Sequence, residues 1–192
     1  MIFDTDKQYL KYTFSMDSIE SMLTGGHPNS LGNTVAVVEL VLKDKSRLEE
    51  LYQCYFSIDE VVRLRVSSAM KRVCRAKPKW LVPYIDKLLT DIAAIDQAST
   101  QWTLAQLFVL LANDMSYAQK ATALDLMKNN LLHHKDWIVL NTTMEALYEW
   151  SKLDKQLELW LKPQLVRLQT DPHGSVARRA RKYTKELSLT RM

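Results

Sequence analysis

The chain has 192 residues, 47% of them apolar, and a formal net charge of +4. This apolar share with so small a net charge excludes wholesale disorder. Only four glycines occur and residues 33–173 contain none, which disfavours a sheet protein because its many turns need glycine. We therefore predict an all-α fold.

The first 43 residues predict an irregular arm followed by two short helices. Residues 1–14 show no clear periodicity, whereas apolar spacing predicts helices over 16–24 and 34–43. The loop between the helices, residues 25–32, holds three of the four glycines. We interpret it as a plain connection, since it lacks the lysine and the strand context of a phosphate-binding loop.

From residue 44 onward the chain repeats. Four segments carry a stripe of mostly apolar residues at offsets 0, +4, +7 and +11, which is the spacing of one helix face. Their starting points are separated by 38, 39 and 37 residues. The stripes are Val62, Val66, Ala69 and Val73; Thr100, Leu104, Leu107 and Leu111; Val139, Thr143, Ala146 and Trp150; and Val176, Ala180, Tyr183 and Leu187.

A short motif that recurs with one substitution supports the same period. Trp80-Leu81-Val82-Pro83 recurs 80 residues later as Trp160-Leu161-Lys162-Pro163, which is two periods of 40. Repeats of this size are typical of stacked helix pairs, because one pair cannot bury its apolar face alone. Each pair would consist of an outer helix and an inner helix that carries the stripe.

These features resemble the HEAT repeat, in which an acidic turn leads to Val-Arg at the start of the inner helix. Ile58-Asp59-Glu60-Val61-Val62-Arg63 matches this pattern best, and Asp171-Pro172-His173-Gly174-Ser175-Val176 also matches it. The two middle repeats have Gln101 and Leu140 in place of the arginine. The chain is also similar to small bacterial HEAT-repeat proteins of undefined function, which share its Ser30-Leu31-Gly32 element.

The resemblance implies a right-handed α-solenoid of the ARM/HEAT type with about five antiparallel helix pairs in one structural domain. Residues 1–43 would form the arm and the first helix pair, packed on the solenoid. Residues 44–192 would form four repeats, at 44–77, 78–114, 115–152 and 153–192. Their inner helices would line a concave face and their outer helices a convex one.

The C-terminal residues predict how the last repeat is covered, and the cysteines predict the compartment of the protein. No polar capping repeat follows Leu187, Leu189 and Met192, so we expect the chain's own tail or a weak homodimer contact to cover this end. Cys54 and Cys74 lack metal or redox spacing and are expected to be buried free thiols in a reducing cytoplasm. We also expect no signal peptide and no membrane span.

Charge is divided into four blocks along the chain. Residues 1–60 carry net −5, residues 61–90 net +7, residues 91–161 net −4 and residues 162–192 net +6. The two basic blocks fall largely on the first and last inner helices, where arginine clusters are suited to bind anionic groups. The predicted interaction surface consists of Arg63, Arg65, Arg72, Arg75, Trp102, Trp137, Arg178, Arg179, Arg181 and Lys182.

We favour a protein or acidic peptide as the partner of a non-catalytic module. A nucleic-acid backbone needs continuous positive potential, and here about 70 residues of negative sequence interrupt it. The alternative is a HEAT-like nucleic-acid binder or an enzyme similar to the HEAT-like bacterial alkylpurine DNA glycosylases, which pair tryptophans with an aspartate on a basic surface. Trp150 with Asp154, and Trp137 with Asp136, would be the candidate pairs.

We predict no catalytic residue, cofactor or metal site. Asp136 is interpreted as a helix N-cap and Asp154 as a turn residue. His133 and His134 are adjacent and thus about 100° apart around a helix, so they cannot chelate a metal as an i, i+4 pair would.

Overall fold

The computed structural model describes residues 18–27 and 30–189, and within them it contains helices and turns without a β-strand. The predicted all-α class is therefore confirmed for this part of the chain. The arm predicted over residues 1–14 lies outside the described residues.

Helices alternate with short turns along the chain. Three-residue 3₁₀ turns flank α3, at Lys45–Arg47 and Cys54–Phe56. The helices are α1 (Ile19–Leu23), α2 (Thr34–Lys43), α3 (Leu48–Gln53), α4 (Glu60–Ala76), α5 (Pro78–Leu81), α6 (Ile85–Lys87), α7 (Ala98–Leu111), α8 (Tyr117–His133), α9 (Trp137–Ser151), α10 (Lys155–Leu168) and α11 (Gly174–Leu189).

Polar side chains fix the starts of the long helices. Asp59, Asp136 and Asp154 are the N-cap residues of α4, α9 and α10, and each carboxylate accepts a hydrogen bond from a first-turn backbone N–H. Ser116 and Gln119 form a reciprocal capping box at the start of α8. The N-cap prediction for Asp136 is confirmed, and Asp154 has the same role rather than that of a simple turn residue.

The predicted stripes form the core. Fifteen of the sixteen stripe residues are buried, and Trp150 is half-buried. Twelve of the sixteen belong to a hydrophobic cluster that extends from Ile19 in α1 to Leu187 in α11, and Trp150 packs against this cluster. The four helices that carry the stripes, α4, α7, α9 and α11, pack in succession, and α2 packs on the outside of α4. We call these four helices the inner row.

Most of the remaining helices pack on the inner row. Helix α8 packs on α9, α10 packs on both α9 and α11, and α3 and α5 pack on α4. The two copies of the Trp-Leu-x-Pro motif differ locally. Pro83 lies in a 3₁₀ turn, Val82–Tyr84, and a π-helical turn follows at Leu88–Ile92, whereas Pro163 lies inside the continuous helix α10.

Arg65 lies in the interior, although the sequence predicts that it faces outward. Its guanidinium donates from Nη1 to the carbonyls of Leu23 and Gly25, both at 2.6 Å, and from Nη2 and Nε to those of His27 and Ser30, both at 3.2 Å. Only 2% of the residue is exposed. The prediction is wrong because the loop after α1 folds over this face of α4 and supplies the carbonyls that hold the charge.

Among the glycines of this loop, Gly32 makes room for the guanidinium. Gly25, Gly26 and Gly32 have φ values of +70°, +73° and +48°, in the left-handed region that favours glycine. A Cβ atom on Gly32 would lie 2.8 Å from Cζ of Arg65. The glycine-rich segment is therefore shaped around one buried arginine, and it is more than a plain connection.

Arg63 is also part of the framework and not of the predicted surface. Its Nη1 donates to the carbonyl of Ser57, and its Nε donates to Oε1 of Gln97, both at 2.6 Å. Because Ser57 precedes α4 and Gln97 precedes α7, this half-buried side chain ties together the starts of two neighbouring inner helices.

Both cysteines are buried free thiols, as expected. Burial raises the pKa of Cys54 and of Cys74 to about 12, so both remain protonated at neutral pH. At the C-terminal end of the described chain, Leu187 is buried and Leu189 is exposed.

Candidate interaction groove

Two cavities adjoin on one face of the inner row. A cavity of about 530 Å³ lies between α9 and α11, and one of about 170 Å³ lies among α4, α7 and α9. They share Gln106, Thr142 and Glu145, so they form one surface that we call the inner groove. Its charged and aromatic lining residues are Arg75, Trp137, Glu145, Glu149, Arg178, Arg179, Lys182 and Tyr183.

The repeat register explains why these residues meet. Gln106, Glu145 and Lys182 each lie six positions after the first stripe residue of their helix, and Asn141 and Arg178 each lie two positions after it. Positions four apart on a helix share one face, next to the buried stripe. The groove is thus formed by equivalent positions of successive inner helices.

One ion pair crosses the groove, and a second lies along α9. Nη1 of Arg179 on α11 donates to Oε2 of Glu145 on α9 at 2.5 Å and to the carbonyl of Asn141 at 3.1 Å. Glu149 pairs with Lys152 at 2.7 Å. The groove therefore has four cationic and two acidic lining residues, and both acidic ones already have basic neighbours.

Two of the cationic residues form no ion pair in the described part of the chain. Arg75 at the α4 side and Arg178 at the α11 side form no ion pair with another described residue. Lys182 makes only a distant contact of 3.8 Å with Glu186 and lies 5.5 Å from the ring centroid of Tyr183. The unpaired positive charge is therefore at the two sides of the groove.

Two amide side chains in the groove have unsatisfied acceptors. Nδ2 of Asn141 donates to the carbonyl of Trp137 at 2.9 Å and to Oγ of Ser175 at 3.1 Å. Its Oδ1 and the Oε1 of Gln106 are buried and have no hydrogen-bond partner among the described residues. Because an unpaired buried acceptor costs about 1–3 kcal/mol, a ligand with N–H groups would relieve this cost.

Aromatic residues complete the lining. Trp137 is the first residue of α9 and remains 46% exposed at the edge of the groove. The ring of Tyr183 stacks on Tyr148 with centroids 4.1 Å apart and an interplanar angle of 8°. Burial raises the pKa of Tyr183 to about 12, so the phenol stays neutral at physiological pH.

The structure brings half of the predicted surface together in the groove, namely Arg75, Trp137, Arg178, Arg179 and Lys182. The other half is dispersed. Arg63 and Arg65 are internal, and Trp102 lines a separate cavity between α4 and α7. Arg72 and Arg181 are exposed outside the described cavities, and Arg181 donates to the carbonyl of Gln169 at 3.0 Å.

The interaction surface predicted from the sequence does not include Gln106, Asn141, Thr142 or Glu145. Their signal was present, because they occupy the same register positions as Arg178, Arg179 and Lys182 on the neighbouring helices. Cationic and aromatic character alone does not reveal these positions.

The carboxylates considered for catalysis serve as helix caps. Asp136 accepts hydrogen bonds from the N–H groups of Ile138 and Val139, and Asp154 accepts one from Leu157. Within the described residues, no group of three histidine, cysteine or acidic side chains could hold a metal ion. No helix in this part of the chain is long and apolar enough to cross a membrane.

Comparison of the chain with protein-family models, with curated proteins and with solved structures finds no match.

Proposed function

We propose that the chain is a short, right-handed HEAT-like α-solenoid that binds an acidic segment of a partner protein in the inner groove, without catalysis and in the cytoplasm. The observation that carries this proposal is the groove itself. It joins two cavities across the inner row and has more basic than acidic residues, with an exposed tryptophan at its edge.

The hydrogen-bonding groups of the groove favour a peptide chain. Gln106 and Asn141 have unsatisfied acceptor oxygens, and an extended peptide offers backbone N–H groups along its whole length. Arg75 and Arg178 would pair with carboxylates of the peptide, and Trp137 would pack on an apolar side chain. The mixture of donors, acceptors and an aromatic anchor is typical of protein recognition.

A nucleic-acid backbone fits this groove less well. Glu145 and Glu149 lie between the basic sides, where they would repel a continuous row of phosphates. In addition, α7 and α9 separate the basic helices α4 and α11 in the inner row. Nucleic-acid binding is therefore retained only as the competing outcome of the test.

The test compares two arginines that are both exposed and both on inner helices. A fluorescent acidic peptide selected from a displayed random library would be titrated with wild-type protein, Arg178→Glu and Arg72→Glu. We expect Arg178→Glu to weaken binding by about tenfold or more, which corresponds to about 1.4 kcal/mol, because it lines the groove. Arg72→Glu should change the affinity by less than about twofold, since it lies outside.

The same proteins would be titrated with duplex DNA, single-stranded DNA and RNA at about 50 to 200 mM salt. Equal losses of peptide affinity in both variants would contradict the groove as the site. Tighter binding to nucleic acid than to any selected peptide, with a steep salt dependence, would support the alternative function instead.

A further inference from the structure

The cavity between α4 and α7 has a different chemistry from the inner groove and shares no lining residue with it. Its volume is about 260 Å³. Its lining residues come from α4, from α7 and from the loop after α1: Leu64, Arg65, Ser68 and Lys71; Trp102 and Thr103; and Ser30 and Leu31. Binding of a ligand in this cavity is therefore independent of the proposed function of the groove.

Positive charge in this cavity has no acidic neighbour to balance it. None of its lining residues is acidic, and helix α7 carries no charged residue at all. The half-buried Lys71 forms no ion pair with a described residue, and the guanidinium of Arg65 is held by carbonyls rather than by a carboxylate. Burial, followed by the charges of Arg75 and Arg72, lowers the pKa of Lys71.

Two hydroxyl groups in the cavity are free to donate. Hydroxyls in helices often donate to the carbonyl four residues earlier, as Ser67 and Thr142 do here at 2.8 Å. Ser68 and Thr103 make no such bond, nor any other hydrogen bond with a described residue. Thr103 is only 1% exposed, and its hydroxyl has no hydrogen-bond partner among the described residues.

We propose that this cavity binds a phosphate monoester, with the phosphate near Lys71, Ser68 and Thr103 and the organic part packed against Trp102. A phosphate monoester carries about −1.5 to −2 charges at neutral pH and has three strong acceptor oxygens. It therefore matches both the unbalanced positive charge and the free hydroxyl donors. The ester is either a free small molecule or a phosphorylated side chain of a protein, since both present the same group.

The experiment is a calorimetric titration with phenyl phosphate, which combines a phosphate monoester with a ring for Trp102. Lys71→Met keeps the length of the side chain and removes its charge, and we expect it to weaken binding by about tenfold or more. The matched control is Lys128→Met, which removes a half-buried lysine located 5.1 Å from the ring centroid of Trp160. This control should bind phenyl phosphate as the wild type does.

Folding of Lys71→Met is expected to persist because the change removes a like charge beside Arg72 and Arg75, and its thermal melting would verify this. Ser68→Ala gives an independent test, with an expected loss of affinity of about threefold or more. The proposal would be overturned if Lys71→Met and Ser68→Ala bound as tightly as wild type, or if uncharged benzyl alcohol bound as well as phenyl phosphate. A phosphoserine peptide measured in parallel identifies the source, since tighter binding of the peptide than of phenyl phosphate assigns it to a phosphorylated protein.

Discussion

Arg65 and Arg72 are seven residues apart on α4, which places them on nearly the same side of the helix. One is buried and the other is exposed. The difference arises because the loop after α1 covers only the first of them. Burying a guanidinium without partners would be very unfavourable, and four carbonyl acceptors offset that penalty at Arg65.

Substitution of Gly32 tests this arrangement. Gly32→Ala places a Cβ atom at φ +48°, 2.8 Å from a guanidinium that four hydrogen bonds hold in place. The left-handed conformation alone costs about 1–2 kcal/mol for a residue with a Cβ. We expect Gly32→Ala to lower the free energy of unfolding by about 2 kcal/mol or more in urea titrations.

Gly174→Ala is the matched control, because Gly174 lies in α11 and a Cβ atom there would meet nothing within 4 Å. Its stability should be unchanged or slightly higher, since alanine is the better helix former. Equal effects of the two substitutions would show that Arg65 does not constrain the loop.

At the level of the helices, the buried stripe determines which substitutions the fold tolerates. Ala69 and Ala180 are fully buried in the core. We expect Ala69→Glu and Ala180→Glu to destabilise the protein by about 2–4 kcal/mol, because each buries an unpaired charge in a filled contact. Arg72→Glu on the exposed side of α4 should change stability by less than about 0.5 kcal/mol. Thermal and urea unfolding would measure all three, and the reverse order of effects would contradict the helix register.

Helix α10 contains an ion-pair network that predicts a pH dependence. Lys155 and Lys162 donate hydrogen bonds to Glu158 at 2.7 Å and 2.5 Å, and these bonds lower the pKa of this carboxyl to about 2. A carboxyl with a lowered pKa in the folded state stabilises the protein above its unfolded pKa. This contribution is lost as the pH falls from about 4.5 towards 2.

Glu158→Gln removes the titrating group and keeps a similar shape. We expect the variant to lose less stability than wild type between about pH 5 and pH 2, measured as the urea midpoint at each pH. Parallel curves for the two proteins would mean that Glu158 does not contribute to acid sensitivity.

Over the whole molecule, the inner row separates charges that the sequence shows only as blocks. Helices α4 and α11 carry the basic residues, and α7 and α9 lie between them with Glu145 and Glu149. This order explains why the groove is mixed in charge while the cavity between α4 and α7 is uniformly basic.

The weak homodimer expected from the C-terminal end stays a prediction. Analytical sedimentation at high protein concentration tests for this homodimer. Leu189 is an exposed residue of α11, and we expect Leu189→Glu to reduce any association.

The sequence by itself determined the helices and their buried faces. The stripe at offsets 0, +4, +7 and +11 predicted sixteen core residues, and fifteen of them are buried. The prediction succeeds because the buried face of a helix repeats with a short period along the sequence. The N-cap role of Asp136 was predictable for the same reason, since a cap contacts only the first turn of its own helix.

Only the tertiary structure decided which basic residues face the solvent. The hydrogen bonds of Arg65 join residues 35 to 42 positions apart, and the ion pair of Arg179 with Glu145 spans 34 positions. Such contacts depend on how one helix pair is placed against the next, and no local period contains that information. The packing of α4 against α7 likewise brings Lys71 and Trp102 together in one cavity outside the groove. The positive charge and the free hydroxyls of this cavity come from two different helices.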